Sequence, residues 1–384
     1  MKPATQPFIS KFNPKTDSQQ VLHILKALKQ ASHNLHQNPN HSQTDNNTVS
    51  SESAIKALLE LEHESESILC NDPHLVTLST HLTTLKTLIE HSCNAQQRKH
   101  GLRSFITLRV NSHEVSRLAG AIESEIQAWI DREFIKTLTQ TLVHTSTVTV
   151  ESDTKQELVL IDLIEEFEER IGRGFDRKLQ DLILRSKVFT KLESILCERS
   201  FSNAVREASA FAIAELIRFN KDVFVGQVLI SKTVCALISL ASVRSIQILC
   251  TLIRSIKSPI VDEIVSGDII PKLVGFLTSD EVSIRAVAVN CVLEIGYFGR
   301  KEAIDAMLEA DLVKRLVELQ RCENGDVFGS CVARFAVQLE VGEGLRQREK
   351  RELKQEVLKR VREVSVCEAE AATIIAEVLW GASP

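Results

Sequence analysis

The feature that most constrains the fold of this chain is a helical unit that recurs at intervals of about 40 residues. Three long segments each open with an apolar residue and an arginine, then continue as small and apolar residues with helical spacing. They are 205–217, 243–255 and 284–296. A shorter apolar helix is predicted before each one, at 188–196, 234–240 and 269–277. A fourth copy, 312–319 followed by 330–339, fits the same pattern more loosely.

Four leucines mark equivalent positions in these units, and the steps between them are 45, 36 and 43 residues. They are Leu192, Leu237, Leu273 and Leu316. A single unit of this size cannot bury its own apolar face, so such units stack against one another. The repeat therefore predicts an all-α solenoid, a class of protein that mostly offers binding surfaces.

The composition favours a helical fold and limits the classes of partner and ligand that we expect. The 14 Gly and 8 Pro are few for 384 residues, which favours long helices over a turn-rich β fold. The net charge of −5 argues against a nucleic-acid partner held by net charge. The nine cysteines are odd in number and form no Cys-x-x-Cys pair, so we expect reduced thiols, no metal site and no cofactor.

Residues 1–20 lack the apolar core of a signal peptide, and no apolar run reaches the roughly 20 residues that cross a bilayer. We expect no transmembrane segment and a location in the cytoplasm, the nucleus or both. No nucleophile elbow, phosphate-binding loop or His-Glu-x-x-His motif is present. The sequence therefore predicts a protein that is not an enzyme.

Three regions follow from the local pattern. Residues 1–53 are mostly polar and are predicted to be disordered, with one short helix at 18–31. Residues 54–144 are predicted to form a helical bundle, with helices at 54–70, 75–93, 95–110 and 113–142, the last capped by Ser112. After a loop at 145–155, residues 156–384 form the repeat domain, ending in capping helices at 343–363 and 367–380. Trp129 and Trp380 are predicted to anchor the core.

One repeat carries a family resemblance. Residues 267–277 read Gly-Asp-Ile-Ile-Pro-Lys-Leu-Val-Gly-Phe-Leu, and Ile-Arg-Ala-Val-Ala follows at 284–288. This resembles an armadillo repeat, in which a Gly-x-Ile-Pro-x-Leu-Val segment starts the second helix and an alanine-rich third helix follows. The repeats are similar to those of plant armadillo proteins, including those fused to a U-box, although the Cys-Pro-Ile segment of a U-box is absent. The resemblance implies a right-handed solenoid of four to five units whose third helices line the concave face.

Armadillo proteins that grip extended peptides carry a recurring asparagine on the third helix, and some add a tryptophan four residues earlier. The asparagine positions align here with Glu215, Ile253, Glu294 and Leu339. The tryptophan positions align with Phe211, Leu249, Asn290 and Phe335. On this alignment the ladder that clamps a peptide backbone is missing, and recognition is expected to depend on other side chains.

The candidate binding residues are charged positions on the third helices. Arg206, Arg244 and Arg285 fall at one equivalent position and could form a basic ladder for acidic segments or phosphate. The alternative is that each arginine pairs with acids of the preceding loop, such as Asp280. Glu215 and Glu294 lie nine residues further on and could bind a basic partner, or be solvated charges.

Two charged helices have competing interpretations. The helix 343–363 carries eight basic and five acidic residues, which suits a membrane surface or a helix that pairs its own charges. The acidic cluster of Glu165, Glu166, Glu168 and Glu169 could be read as paired carboxylates for acid–base chemistry, but adjacent acids on an exposed helix form no cleft, and a solvated helix face is favoured.

The sequence thus favours a non-catalytic scaffold that binds a partner protein through the concave face of an armadillo-type solenoid. Two alternatives stay open. One is a regulatory partner of a ubiquitin ligase or kinase in plant signalling, which would bring this chain into contact with the ubiquitination machinery. The other is a membrane-surface adaptor that uses the basic C-terminal helix.

Overall fold

The computed structural model describes residues 22, 25–30, 32–33, 75–96, 102–147, 154–321 and 325–380. The predicted helix at 54–70 and most of the polar region 1–53 lie outside these residues. Every regular element in the described part is helical, as the repeat pattern predicted. The chain divides into two compact units, residues 1–136 and 137–384.

The first unit contains α1 (Val76–Gln96) and most of α2 (Leu102–Thr147). Its buried core joins Leu25 and Leu28, from the helical residues near the N-terminus, to the leucine stripe of α1 and the inner face of α2. Trp129 is 7% exposed in this core, as predicted. Each fully buried leucine contributes roughly 1.5–3 kcal/mol.

The 46-residue helix α2 corrects two predictions. We expected a break at 111–112 with Ser112 as an N-cap, and a loop from residue 145; the helix instead runs through Ser112 and ends at Thr147. Asn, Ser and Thr lower helix propensity by only tenths of a kcal/mol each, and no proline interrupts this stretch. Such weak local preferences yield to packing along the buried stripe of the helix.

The second unit is a solenoid of three-helix repeats preceded by α3 (Thr154–Gly172). The first repeat comprises α4 (Arg177–Arg185), α5 (Val188–Cys197) and α6 (Asn203–Phe219). The second comprises α7 (Lys221–Ile230), α8 (Thr233–Leu240) and α9 (Val243–Ile256). The third comprises α10 (Ser258–Ser266), α11 (Ile270–Gly275) with the 3₁₀ turn Phe276–Thr278, and α12 (Val282–Phe298).

The fourth repeat comprises α13 (Lys301–Glu309), α14 (Leu312–Arg321) and α16 (Cys331–Val341), with the one-turn helix α15 (Gly325–Phe328) inserted before α16. Helices α17 (Gln347–Val364) and α18 (Glu368–Trp380) end the described part. The third helices pack side by side in the order α3, α6, α9, α12, α16 and α18. They bury an almost continuous apolar layer, which accounts for the small and apolar character of the repeated segments.

The end of the solenoid differs from prediction at one residue. Helix α18 buries Ala371, Ile374 and Val378, which lie on one face at steps of three and four. Trp380 comes two residues after Val378, about 200° around the helix, and is 88% exposed. The prediction that Trp380 anchors the core is therefore wrong.

Helix α17 is fixed to the fourth repeat by its basic residues. Lys354 Nζ lies 2.7 Å from a carboxylate oxygen of Glu340, and Lys350 donates to the Gly342 carbonyl at 2.8 Å. Arg360 binds the Leu308 carbonyl and pairs with Glu356. Much of the positive charge on this helix is therefore used inside the fold.

Candidate functional site

The third helices have one exposed face, and its residues recur every three or four positions. In α6 they are Glu207, Phe211 and Glu215; in α9, Gln247, Thr251 and Arg254; in α12, Ala286, Asn290 and Glu294; in α16, Arg334 and Gln338. We call these residues the third-helix face. This spacing follows from 3.6 residues per turn once the opposite side of each helix is buried in the layer.

Arg206 lies inside the fold rather than on this face. Its side chain is buried, at 7% exposure, and Nε donates to the carbonyl of Leu196 at 3.0 Å. Leu196 belongs to the last turn of α5, where carbonyls have no partner within the helix. Arg206 therefore caps the second helix of its repeat.

Arg285 does the same in the third repeat. Its Nη1 donates to the carbonyls of Ser279 and Asp280, at 2.6 and 3.2 Å, just after the 3₁₀ turn that ends the second helix. The guanidinium also lies over the Phe328 ring, 5.7 Å from its centroid. The loop alternative anticipated a side-chain ion pair with Asp280, but the arginine binds backbone carbonyls instead.

Arg244 is exposed and differs from the other two because α9 is out of register by two residues. The buried pattern of α6 superimposes on that of α9 when Arg206 is matched to Ile246 rather than to Arg244. Only two residues, Ala241 and Ser242, separate α8 from α9, whereas five separate α5 from α6. The structure thus does not align the three arginines as one ladder.

The expected peptide-binding positions also change, because α9 is shifted by two residues and α16 by one relative to the alignment made from the sequence. Ile253 and Leu339, matched above to the recurring asparagine, are fully buried, as are Leu249 and Phe335 at the tryptophan position. The exposed equivalents of Asn290 are instead Phe211, Thr251 and Arg334. This register is visible in the sequence when the apolar positions of the helices, and not the arginines, are aligned.

Glu215 lies beside an acidic group that sequence reasoning treated as solvated. Burial raises the pKa of Glu168 to about 8, with Glu165 and Glu215 adding to the rise and Arg244 opposing it. Glu168 Oε1 is buried without a hydrogen bond in the described part of the chain. Glu215 itself pairs with Arg218 at 2.8 Å. Glu168 is thus partly removed from water, unlike a solvated face.

Glu294 lies in a groove of about 590 Å³ between α9, α12 and α16. Polar side chains line it, and Cys250, Val287 and Leu293 contribute apolar surface. The polar residues are Gln247, Thr251, Arg254, Asn290, Glu294, Arg334 and Gln338. We call this the amide groove, because Gln247, Asn290 and Gln338 each bring a carboxamide to it.

The carboxamides of the amide groove are free to bind. In the part of the chain that the structure describes, no side-chain hydrogen bond involves Gln247, Asn290 or Gln338. Each carboxamide offers donors and an acceptor, the same complement that a peptide backbone presents. The groove can therefore hydrogen-bond an extended chain at three successive third helices.

The amide groove contains more positive than negative side chains. Arg254 Nη1 lies 3.7 Å from Glu294 Oε1, a distance longer than a hydrogen bond. Burial raises the pKa of Glu294, and Arg254 opposes that shift. No carboxylate of the described residues lies within 4 Å of Arg334. The groove thus carries one cation in excess.

Other surfaces of the described chain show fewer features of a binding site. A larger groove of about 910 Å³ lies among α4, α5 and α7, and much of its wall is apolar, including the exposed Ile230. Within the described ranges, no three His, Cys, Asp or Glu side chains converge to hold a metal. No individual helix there is long and apolar enough to span a membrane. The helices α7 and α8, which are bent relative to each other, reach the required length and apolar composition only when they are counted together.

No family model matches the chain, and no curated protein matches it. Among solved structures, a designed armadillo repeat protein in complex with the peptide (KR)4 is 14% identical, at a TM-score of 0.44, over 64% of this chain and 98% of that one. An engineered protein is 15% identical, at 0.43, over 94% and 98%. The karyopherin Kap121p bound to the SUMO protease Ulp1p is 12% identical, at 0.42, over 88% and 39%. Because these TM-scores are below 0.5, the solenoid architecture rests on the helix order and packing described above.

Proposed function

We propose that this chain is a non-catalytic scaffold that holds an extended segment of a partner protein in the amide groove. The observation that carries the proposal is the convergence of three carboxamides, from α9, α12 and α16, none with a hydrogen bond inside the described chain. A groove whose polar groups are free pays no cost of breaking internal hydrogen bonds when it binds.

An extended segment suits this groove better than a helix or a small apolar ligand. A helix has no free backbone groups along its length and needs an apolar trough, whereas these walls are mostly carboxamide and charge. A strand-like segment exposes an N–H and a carbonyl at each residue, and the repeated helices present carboxamides in sequence. The repeated carboxamides of the groove would thus pair with the repeated N–H and carbonyl groups of the segment.

The five residues singled out in the sequence enter the proposal differently. Glu294 lies in the amide groove, and Glu215 belongs to the third-helix face, along which we propose that a longer partner segment would continue. Arg244 is exposed at the start of α9 and is outside the groove. Arg206 and Arg285 support the fold through the carbonyls they bind. The three arginines therefore do not act as a basic ladder, and binding is assigned to the third-helix face.

The test is selection of 12-residue peptides from a random displayed library on the full chain, followed by affinity measurement for the enriched sequences. We expect Asn290→Ala combined with Gln338→Ala to weaken binding about tenfold or more, because two hydrogen bonds of roughly 0.5–1.5 kcal/mol are lost. Gln355→Ala, on the exposed face of α17, is the control and should bind as the unaltered chain does. Equal binding by all three forms would contradict the proposal.

A more specific proposal is that the partner is a ubiquitin ligase or kinase of plant signalling. Its only support is the similarity of the repeats to those of plant armadillo proteins. It predicts that the full chain recovers such a catalytic subunit from plant extract, and that the Asn290→Ala, Gln338→Ala form does not. We propose that the protein is located in the cytoplasm or nucleus, and the six cysteines found free in the described chain support this proposal. Microscopy of a fluorescent fusion would test that location.

The membrane-adaptor alternative gains little from the structure. Of the basic residues on or beside α17, Lys350, Lys354 and Arg360 contact the fourth repeat, and Arg348 and Lys359 pair with acids of the same helix. We therefore expect no binding to vesicles with 30% phosphatidylserine at physiological salt. The alternative would be supported if the chain sedimented with such vesicles and if replacing Arg351 and Arg362, which are exposed on α17, with glutamate abolished that binding.

A further inference from the structure

Among the charged residues that line the amide groove, Arg334 has no ion-pair partner in the described chain. It lies in the first turns of α16, half-buried, with its side chain on the groove wall. No carboxylate of the described chain pairs with it, and it makes no side-chain hydrogen bond there. A partly buried guanidinium has lost part of its hydration, and an anion that binds it would restore the lost interactions.

The surrounding charges leave room for such an anion. Arg254 and Arg334 contribute two positive charges to the groove, and Glu294 contributes at most one negative charge. The 3.7 Å separation of Arg254 and Glu294 leaves the Arg254 guanidinium with unused donors. An incoming anion therefore meets a net positive wall.

The geometry also places the anion relative to the backbone. Arg334 and Gln338 lie one turn apart on α16, and Asn290 and Glu294 lie one turn apart on α12. A segment whose backbone is held by Asn290 and Gln338 would direct alternate side chains toward the Arg334 wall, since side chains of an extended chain alternate in direction. Guanidinium binds carboxylate and phosphate oxygens through two parallel hydrogen bonds.

Building on the proposed function, we propose that the amide groove selects a segment that carries an anionic side chain, a carboxylate or a phosphate, opposite Arg334. The partner is thus an acidic extended segment, in contrast to the basic partner that Glu215 and Glu294 suggested in the sequence. Arg334 acts as the specificity residue, and the carboxamides supply the sequence-independent contacts.

The test uses the peptides enriched on the full chain, together with versions in which each Asp or Glu is replaced by Gln, Lys or phosphoserine. Affinities are measured by fluorescence anisotropy for the unaltered chain and for Arg334→Gln and Arg334→Glu. Arg199→Glu is the charge-matched control, because Arg199 lies exposed in the loop before α6 and outside the groove. Circular dichroism and thermal melting confirm that each variant is folded.

We expect enriched peptides to be rich in Asp and Glu, and their Gln versions to bind about tenfold more weakly. Arg334→Gln should remove that difference, and Arg334→Glu should prefer the Lys versions, whereas Arg199→Glu should retain the preference. If phosphoserine binds more tightly than Glu, the anion is phosphate; if more weakly, it is a carboxylate.

Two results would overturn the inference by itself. Enriched peptides without acidic bias, or an acidic preference that persists in both Arg334 variants, would remove Arg334 from recognition. If Asn290→Ala with Gln338→Ala still weakens those peptides, the proposed function stands without the acidic partner. If neither set of substitutions matters, or the library yields no binder, both proposals fall.

Discussion

At the scale of single residues, Arg206 shows how a charged side chain can belong to the fold. Its Nε satisfies the carbonyl of Leu196 at the end of α5, in a place that water does not reach. A carbonyl in that position without a donor costs about 1–3 kcal/mol. Arg244, which begins α9 in the exposed position, satisfies no such group among the described residues.

We therefore expect Arg206→Met, which keeps an unbranched apolar stem but removes the guanidinium, to lower the free energy of unfolding by about 2 kcal/mol. Arg244→Met should change it by less than about 0.5 kcal/mol. Urea unfolding followed by circular dichroism measures both. Equal effects of the two substitutions would contradict the capping role of Arg206.

Glu168 makes stability depend on pH in a direction unusual for a carboxylate. Burial raises its pKa in the folded chain from 4.5 to about 8, so the folded state holds the proton more tightly than the unfolded state does. This contribution to stability is fully present below pH 4.5 and is lost as the pH rises toward 8.

Glu168→Gln should accordingly stabilise the protein near pH 8.5 relative to the unaltered chain, and have little effect near pH 4.5. Because the side chain is partly exposed, we expect a difference of only about 1–2 kcal/mol between the two pH values. Thermal melts across this range test it, with the exposed Glu166→Gln on the same helix as the control. A Glu168→Gln effect independent of pH would show that the carboxyl is not desolvated.

At the scale of elements, the turn after α16 is held in unusually close contact with the end of α12. The amides of Glu343 and Gly344 both donate to the Tyr297 carbonyl, at 2.8 and 3.2 Å. A methyl group on Gly344 would lie 2.0 Å from the Gly299 carbonyl oxygen, so one backbone would have to move. This turn joins the fourth repeat to the terminal helices.

Gly344→Ala should therefore lower the free energy of unfolding by about 2–3 kcal/mol, through forced movement of packed backbone. Gly226→Ala is the matched control, since Gly226 lies within α7 and, apart from the adjoining backbone of that helix, no atom lies within 4 Å of the added methyl group. That substitution should raise stability by about 0.5–1 kcal/mol, because alanine is the better helix former. Chemical denaturation of both variants gives the comparison, and loss of stability in Gly226→Ala alone would refute it.

At the scale of the whole molecule, the repeat pattern predicted the helical class and the second and third helices of the units, because burial between stacked helices dictates the apolar spacing that a sequence displays. The first helices α7, α10 and α13 were not identified in the sequence, and a three-helix unit was implied only by the armadillo resemblance. Gly267 and Pro271 marked the start of the second helix of the third repeat correctly. The sequence did not reveal the register of α9, because Arg244 copies the position of Arg206 in the sequence while the short loop before α9 shifts the helix by two residues.

The site was predicted less completely than the fold. Glu294 was a candidate from the start, but Asn290, Gln247 and Gln338 acquire meaning only when α9, α12 and α16 are side by side. Side-chain amides carry no signature in a sequence, since solvated surface positions use the same residues. The missing information was three-dimensional: which exposed residues of different repeats share one groove.

The stacked layer also predicts where the solenoid is most resistant to opening. Helices α9 and α12 each have a third helix on both sides, whereas α18 contacts only α16 in the described layer. In a linear array, stability is shared between neighbours, so ends open first. Hydrogen exchange followed by mass spectrometry should show slower exchange in α9 and α12 than in α18, and the reverse order would contradict it.

The positions of the two tryptophans have a practical consequence for studies of folding. Trp129 is buried in the unit of residues 1–136, and Trp380 is exposed in the unit of residues 137–384, so each unit carries one fluorophore. The buried indole should emit at shorter wavelength than the exposed one. Replacing either tryptophan with phenylalanine would leave a reporter of a single unit, and the unfolding of each could be followed in the intact chain.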